Sequence, residues 1–329
     1  MAKKENISVN KSTFIVNNFK KFFSRNRLLV IILVIAVVLS ILSPAFLSIT
    51  NIFNVLWSIS VVGTMAVGMT FVILTAGIDL SVGSIVCITG VACALLFDPL
   101  GLSLPFTLFL VLLLGAVLGL INGMLVTKAR ITPFIVTLAT MAFYRGITLF
   151  MTQGKTIGVL KPESFLVLGG GKFLGIPISL IIFAFISILG WFLAERTTYG
   201  RSVYLLGGNK IAARMSGIKV KRVEMNAYIL SGICAAIAGI LLTSLVQQAG
   251  SYQGRGYELD VIAAVVAGGT SLFGGVGTIS GSVLGAILMG IIANGLNLLN
   301  VASPYHPVVK GIVIIFAVGV EIAGRRKSK

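Results

Sequence analysis

From residue 28 onward the chain alternates long apolar runs with short polar interruptions. The runs cover 28–47, 52–74, 80–97, 106–126, 133–150, 177–194, 226–246, 261–278, 280–300 and 308–322. Most approach the ~20 residues that a helix needs to cross a bilayer. The pattern predicts an all-α polytopic membrane protein with about ten transmembrane helices. The interruptions read as turns: residues 48–51, Asp98-Pro99 with Pro105, Lys128 with Arg130, and a longer segment at 153–176 that carries Gly169, Gly170 and Gly171. The largest polar segment is 195–224, followed by 247–260 and 301–307.

Two stretches resist an unbroken helix. In Thr75-Ala76-Gly77-Ile78-Asp79-Leu80-Ser81-Val82-Gly83-Ser84, Asp79 is the only charged side chain between Arg27 and Asp98. A carboxylate in the hydrocarbon costs about 2.5–3.5 kcal/mol even on an insertion scale, so it must be capped, paired or next to water. Gly77 and Gly83 loosen the backbone, and Asp79, Ser81 and Ser84 can satisfy the groups this frees. Three roles fit Asp79: cap of a second half-helix, direct contact with solute on a translocation pathway, or a gating or packing role. The second stretch, 268–275, is too rich in glycine to be an unbroken helix and predicts another unwound element near the midplane. Gly115, Gly119 and Gly123, running into Asn122-Gly123, are matched by Gly277, Gly281 and Gly285 with Asn294-Gly295 beyond. Glycine at this spacing lets helix backbones approach closely in lipid, and matching breaks predict two loosely repeated halves. Asn122, Thr270, Ser271 and Asn294 therefore join Asp79, Ser81 and Ser84 as candidate pathway residues.

Composition and charge sharpen this picture. The chain is 57% hydrophobic and 11% charged, with mean hydropathy +1.06, beyond any soluble domain. Its net charge of +17 follows the loops rather than a nucleic-acid face. Seven basic residues precede the first run, Lys128 and Arg130 form a pair, seven lie in 195–224, and four close the chain. By the positive-inside rule these segments are cytoplasmic, with both termini inside. The expected organisation is an N-terminal arm at 1–27, a permease domain at 28–324 with a coupling loop at 195–225, and a tail at 325–329. Phe14, Ile15, Phe19, Phe22 and Phe23 among the arm's charges fit either an amphipathic surface helix or a solvated arm. The first run reads as a retained anchor. Cys87, Cys93 and Cys234 lie in apolar runs without ligand spacing, and His306 is the only histidine, so no metal site is expected.

Segment 207–217 is the other informative stretch. Asn209 suits an N-cap and Gly217 a C′ position, with about two helical turns between them. Ile211 and Met215 share one face, and Ala212 and Ala213 offer a small one. Such a helix outside the membrane packs either on its own membrane ends or into a cytoplasmic partner. The chain lacks a phosphate loop of its own: before Gly154-Lys155-Thr156, the first glycine position of the motif holds Leu149. At the outer face Tyr257, Glu258 and Asp260 open an apolar run, where acids suit a helix start; with Arg255 they are candidates for contact with an extracellular partner.

The segments Ala66-Val67-Gly68-Met69-Thr70, Gly77 to Ser84, Thr198-Tyr199-Gly200-Arg201, Gly207-Gly208-Asn209, Ser216-Gly217-Ile218, Gly256 to Val266, Gly268-Gly269-Thr270-Ser271 and Asn294 to Leu299 together resemble the membrane permeases of ATP-binding-cassette importers for monosaccharides, ribose-type members above all. The resemblance runs from about residue 28 onward. It implies a permease dimer in the bacterial plasma (inner) membrane, a cytoplasmic ATP-binding-cassette ATPase and an extracytoplasmic sugar-binding protein. The chain itself would be no enzyme and carry no cofactor, with ATP used by the partner subunit. By the same resemblance Gly208, Asn209, Ala212, Ala213, Arg214 and Gly217 form the helix that docks to the ATPase. A permease of this architecture for nucleosides or branched-chain amino acids, and a stand-alone ion-coupled transporter, are the alternatives.

Overall fold

The computed structural model describes residues 27–98, 100–159, 162–312 and 315. The predicted arm, apart from Arg27, and the tail lie outside these residues, as does most of the last predicted run. Twelve α-helices are delimited among the described residues: α1 Arg27–Leu42, α2 Ile49–Leu74, α3 Val82–Phe97, α4 Leu104–Thr127, α5 Pro133–Thr152, α6 Glu163–Gly170, α7 Ile178–Arg196, α8 Thr198–Gly208, α9 Lys210–Met215, α10 Val220–Val246, α11 Tyr257–Ala267 and α12 Ile279–Leu298. Helix also resumes over 306–312. Six of them, α2, α4, α5, α7, α10 and α12, are long and apolar enough to cross a membrane, and α1 and α3 are shorter apolar helices. The chain is thus an all-α, multi-pass membrane protein. Its only described strands are two-residue pairs, Ile157–Gly158 with Gln248–Ala249 and Lys172–Phe173 with Ile176–Pro177.

Helix α2 is the axis of the fold, with 83% of its apolar window buried, against 22–28% for α4, α5 and α7. The latter three turn large apolar side chains outward, among them Phe109, Phe143, Phe185 and Ile188, each 60–64% exposed, as a lipid-facing surface requires. The glycine series explain how the inner helices meet. A side-chain carbon at Gly119 would run into the Tyr228 carbonyl of α10, and one at Gly115 would lie 2.6 Å from the Gly232 carbonyl. On the other side, Gly281 and Gly285 of α12 meet the Gly268 and Ala264 carbonyls in the same way.

The structure departs from the pattern in three places. Helix α11 stops at Ala267, about 16 Å long at ~1.5 Å per residue, and 268–278 is irregular, so the run 261–278 is half helix and half loop. Gly269, Gly274, Gly275 and Gly277 all have positive φ there, which a helix does not accommodate. Segment 153–176 holds α6, whose Phe165 and Gly169 are buried. Segment 195–224 contains α8, α9 and the first turn of α10, because amphipathic α8 buries Val203 and Leu206 while exposing Leu205.

Candidate functional site

The sequence from Thr75 to Ser81 breaks the helix as expected. Helix α2 ends at Leu74, Ala76 adopts φ 61°, and the Gly77 N–H returns to the Val72 carbonyl at 3.0 Å. Asp79 then sits fully buried between α2 and α3. Its Oδ1 accepts from the Ser81 N–H at 3.0 Å and the Ser81 hydroxyl at 2.6 Å, and its Oδ2 from the Ser231 hydroxyl of α10 at 2.8 Å. The Ser81 hydroxyl accepts in turn from Asn122 Nδ2 of α4 at 2.7 Å, and the Ser84 hydroxyl donates to the Ser81 carbonyl. The carboxylate thus stands at the N-terminus of half-helix α3, where backbone dipoles favour negative charge, with both oxygens bonded. The carboxylate closes a turn just ahead of α3, whose N-cap is Ser81, and the network ties the α2–α3 connection to α3, α4 and α10. The hydroxyl of Tyr228 and Oδ1 of Asn122 are buried nearby without a hydrogen-bond partner.

The candidate pathway residues fall into three places. Asp79, Ser81, Ser84 and Asn122 form the network just described. Thr270 and Ser271 are buried in the irregular segment after α11, where the Ser271 N–H donates to the Val276 carbonyl at 2.8 Å. Asn294 lies at the opposite end of α2 and exchanges two amide hydrogen bonds with Asn51, at 2.6 and 3.0 Å.

The irregular segment and the end of α8 meet the carbonyl end of α2 through main-chain contacts. The Gly275 N–H donates to the Leu74 carbonyl at 2.9 Å, and Gly207 packs on that same carbonyl. A side-chain carbon on Gly274 would lie 2.9 Å from the Ala76 nitrogen, and one on Gly275 would lie 2.6 Å from the Gly208 nitrogen. Immediately beyond this junction is α9. The Asn209 side chain accepts from the Ile211 and Ala212 N–H groups at 3.0 and 2.9 Å. Gly217, at φ 79°, closes the helix, with the Ile218 N–H donating to the Ala213 carbonyl at 3.1 Å. Ile211 and Met215 are 77% and 83% exposed, and Gly208, Ala212 and Arg214 are exposed too. Ala213, by contrast, is 2% exposed and packs inward. Lys210 pairs with Glu224 of α10, fixing the helix to the membrane part. A cavity of about 660 Å³ opens beside it, reaching from Asn209 and Arg214 to Gly77 and Tyr228.

At the far end, the loop before α11 is held by Arg145 of α5, whose guanidinium donates to the Ser251 carbonyl at 2.7 Å and the Gln253 carbonyl at 3.3 Å. Arg255 is exposed, and it lines a cavity of about 350 Å³ with Tyr257 and Tyr252. Glu258 bends back to accept from the Gly256 N–H at 3.2 Å and lies against Gly83. Asp260 is buried, and its Oδ2 is paired with Lys310 at 2.7 Å. Arg145, Lys310, Ser231, Tyr228 and Asn51 are the residues that sequence reasoning passed over. Arg145 was findable as the lone charge within the run 133–150, and Lys310 as the lone basic residue within 308–322. The other three carry no such signal. Among the described residues no group of three His, Cys, Asp or Glu side chains gathers to hold a metal.

The family described as branched-chain amino acid transport system / permease component matches residues 51–318. The ribose import permease protein RbsC of Bacillus subtilis (strain 168) is 46% identical over 296 residues, covering 90% of this chain and 91% of that protein. Its counterpart in Haemophilus influenzae is 40% identical, covering 92% and 95%. The xylose transport system permease protein XylH of Escherichia coli (strain K12) is 34% identical, covering 86% and 88%. No solved structure matches the chain.

Proposed function

The chain belongs to the family of branched-chain amino acid transport system permease components, and we propose that it is the membrane-spanning subunit of an ATP-driven importer for a monosaccharide, ribose before xylose. One observation carries the reading: relatives named for ribose import reach 40–46% identity across nine-tenths of the chain, whereas the xylose relative reaches 34%. The family description names amino acids, yet the relatives at these identities are named for sugars, which favours a sugar over the amino-acid and nucleoside alternatives.

In this reading the chain crosses the bacterial plasma membrane about ten times, α3 and α11 being the short crossings of two related halves. Both termini and 195–225 are cytoplasmic, in keeping with their basic charge. Two copies form the conduit, a cytoplasmic ATPase supplies ATP hydrolysis, and an extracytoplasmic binding protein delivers sugar to the Arg255–Asp260 side. The exposed Ile211 and Met215 make α9 the element that the ATPase grips. Closure of the ATPase halves on ATP draws α9 with them. The load passes through Gly207 and Gly275 to the carbonyl end of α2, next to the Asp79 break, where α2 and α3 can change their mutual angle. Sugar is held weakly within the permease, and the binding protein supplies most of the selectivity.

The test is reconstitution with an ATP-binding-cassette ATPase and a ribose-binding protein of the same organism. Vesicles should take up labelled ribose when ATP is supplied on the α9 side, with less xylose and no leucine. ATP-dependent leucine uptake without sugar uptake would overturn the reading, and so would ribose uptake driven by an ion gradient with no ATPase present.

A further inference from the structure

Helix α2 carries a second polar feature, separate from the Asp79 break. Asn51, Asn54 and Ser58 fall at i, i+3 and i+7, on one face of the helix. They look across at Asn294 and Asn297, an i, i+3 pair on α12. Together with Ala293 and Leu298, these five side chains line a cavity of about 330 Å³. Its polar lining is carboxamide and hydroxyl throughout, with no charged group. The Asn51–Asn294 pair is fixed by its two mutual hydrogen bonds, and Asn51 Nδ2 also donates to the Phe46 carbonyl at 2.9 Å. The side chains of Asn54, Ser58 and Asn297 have no hydrogen-bond partner among the described residues, and Asn54 and Asn297 are exposed.

Capping does not account for these groups. The α2 N-cap is Ser48, which accepts from the Asn51 N–H, and Ser58 lies ten residues further in, about 15 Å at ~1.5 Å per residue. Asn54 stands in the second turn of α2 and Asn297 in the last turn of α12, with Ser58 one turn further in, so the free polar groups gather at one end of the helix pair and call for a polar partner. The cavity also lies at the opposite end of α2 from Leu74, where α8 and α9 dock, with about 30 Å of helix between Asn54 and Leu74.

We propose that this cleft between α2 and α12 is a binding site for a neutral polyol of monosaccharide size, at the mouth of the conduit that faces away from the ATPase. Each free carboxamide presents a donor and an acceptor, so Asn54 and Asn297 can each bridge vicinal hydroxyls, and Ser58 adds a hydroxyl below them. The volume is at the lower end of the ~300–1,000 Å³ of small-ligand pockets. The uncharged lining suits a sugar and gives an amino-acid zwitterion no counter-charge. The inference rests on the sugar-importer reading and adds the place where sugar first meets this subunit.

Cysteine protection tests it. The native Cys87, Cys93 and Cys234 are buried, so Asn54→Cys and Ser58→Cys report alone. In the full transporter, a membrane-impermeant thiosulfonate should modify both from the face opposite α9. Ribose-loaded binding protein should slow modification at least threefold, and leucine should leave it unchanged. Asn54→Leu/Asn297→Leu should cut ribose uptake about tenfold while the complex still assembles. If wild-type vesicles import ribose but modification is absent or indifferent to sugar, the site is refuted and the importer stands. Rapid Asn54→Cys cross-linking between two copies would also refute it, by making the cleft a protomer contact. If wild-type vesicles import no sugar, the reading beneath falls first.

Discussion

Asp79 is the place where a single atom exchange separates cap from charge. It accepts three hydrogen bonds, two from Ser81 and one from Ser231. Hydrogen bonds to a charged group are worth about 1.5–3 kcal/mol each, and an orphaned buried donor costs about 1–3 kcal/mol. Asp79→Ala removes both acceptor oxygens, and so all three hydrogen bonds, and leaves the Ser81 N–H and two hydroxyls stranded in a fully buried site. Even with part of the loss recovered by relaxation, about 4 kcal/mol or more should disappear, against a typical total stability of about 5–15 kcal/mol. Asp79→Asn differs in kind. Its Oδ1 keeps both Ser81 bonds, and its amide nitrogen can donate to the Ser231 hydroxyl once that hydroxyl rotates. What is lost is the charge at the start of α3, worth about 0.3–1 kcal/mol in exposed settings and up to ~2 when partly buried. The assay is folded yield by size exclusion and thermal unfolding in detergent, followed by ATP-driven uptake. Asp79→Ala should unfold at a markedly lower temperature and give less folded protein. Asp79→Asn should fold within about 2 kcal/mol of wild type and transport more slowly. Asp79→Ala protein with wild-type stability would refute the argument that this network holds α2, α3, α4 and α10 together.

Other outcomes follow from burial. Ile211→Asp/Met215→Asp changes only exposed side chains, so it should leave the fold intact and abolish both ATPase co-purification and uptake. Ala213→Trp has no room and should loosen α9 itself, seen as new protease cleavage within 209–217; undiminished resistance would contradict its inward packing. Gly119→Leu should separate α4 from α10 at a cost at the upper end of the ~1–3 kcal/mol of overpacking or beyond, read as a lower unfolding temperature. Lys310→Met leaves the Asp260 carboxylate buried without its counter-charge and should cost about 3–5 kcal/mol, with Lys310→Met/Asp260→Asn recovering most of it in the same melt.

Hydropathy revealed where the long helices lie, but not α6 or α8 in the polar segments nor the loop that replaces the second half of 261–278. Asn209 and Gly217 cap α9 because capping depends on residues within one turn of each other. The breaks near Gly77 and over 268–275 were equally visible, since glycine density is a local property. What stayed hidden was long-range. Nothing in Ser231 or Tyr228 announces that they sit under residue 79, some 150 positions earlier. The pairing of Asn51 with Asn294 joins residues 243 positions apart. Ala213 and Asp260 misled because helical spacing says which residues share a face, but not which face turns inward. The neighbours decide that: Ala213 packs back onto its own chain, and Lys310 draws Asp260 into the interior.

The junction at Leu74 is built from peptide groups and bare α-carbons, with no ionisable atom in it. Ionic strength and cytoplasmic acidity therefore have nothing to grip there: neither screening nor protonation alters an amide–carbonyl contact. A motor pulling on this linkage works through a stiff coupling whose transmission ratio stays constant as the cell's internal milieu fluctuates. Salt and pH act instead on charged groups elsewhere, of which the Lys210–Glu224 and Asp260–Lys310 pairs are two among the described residues.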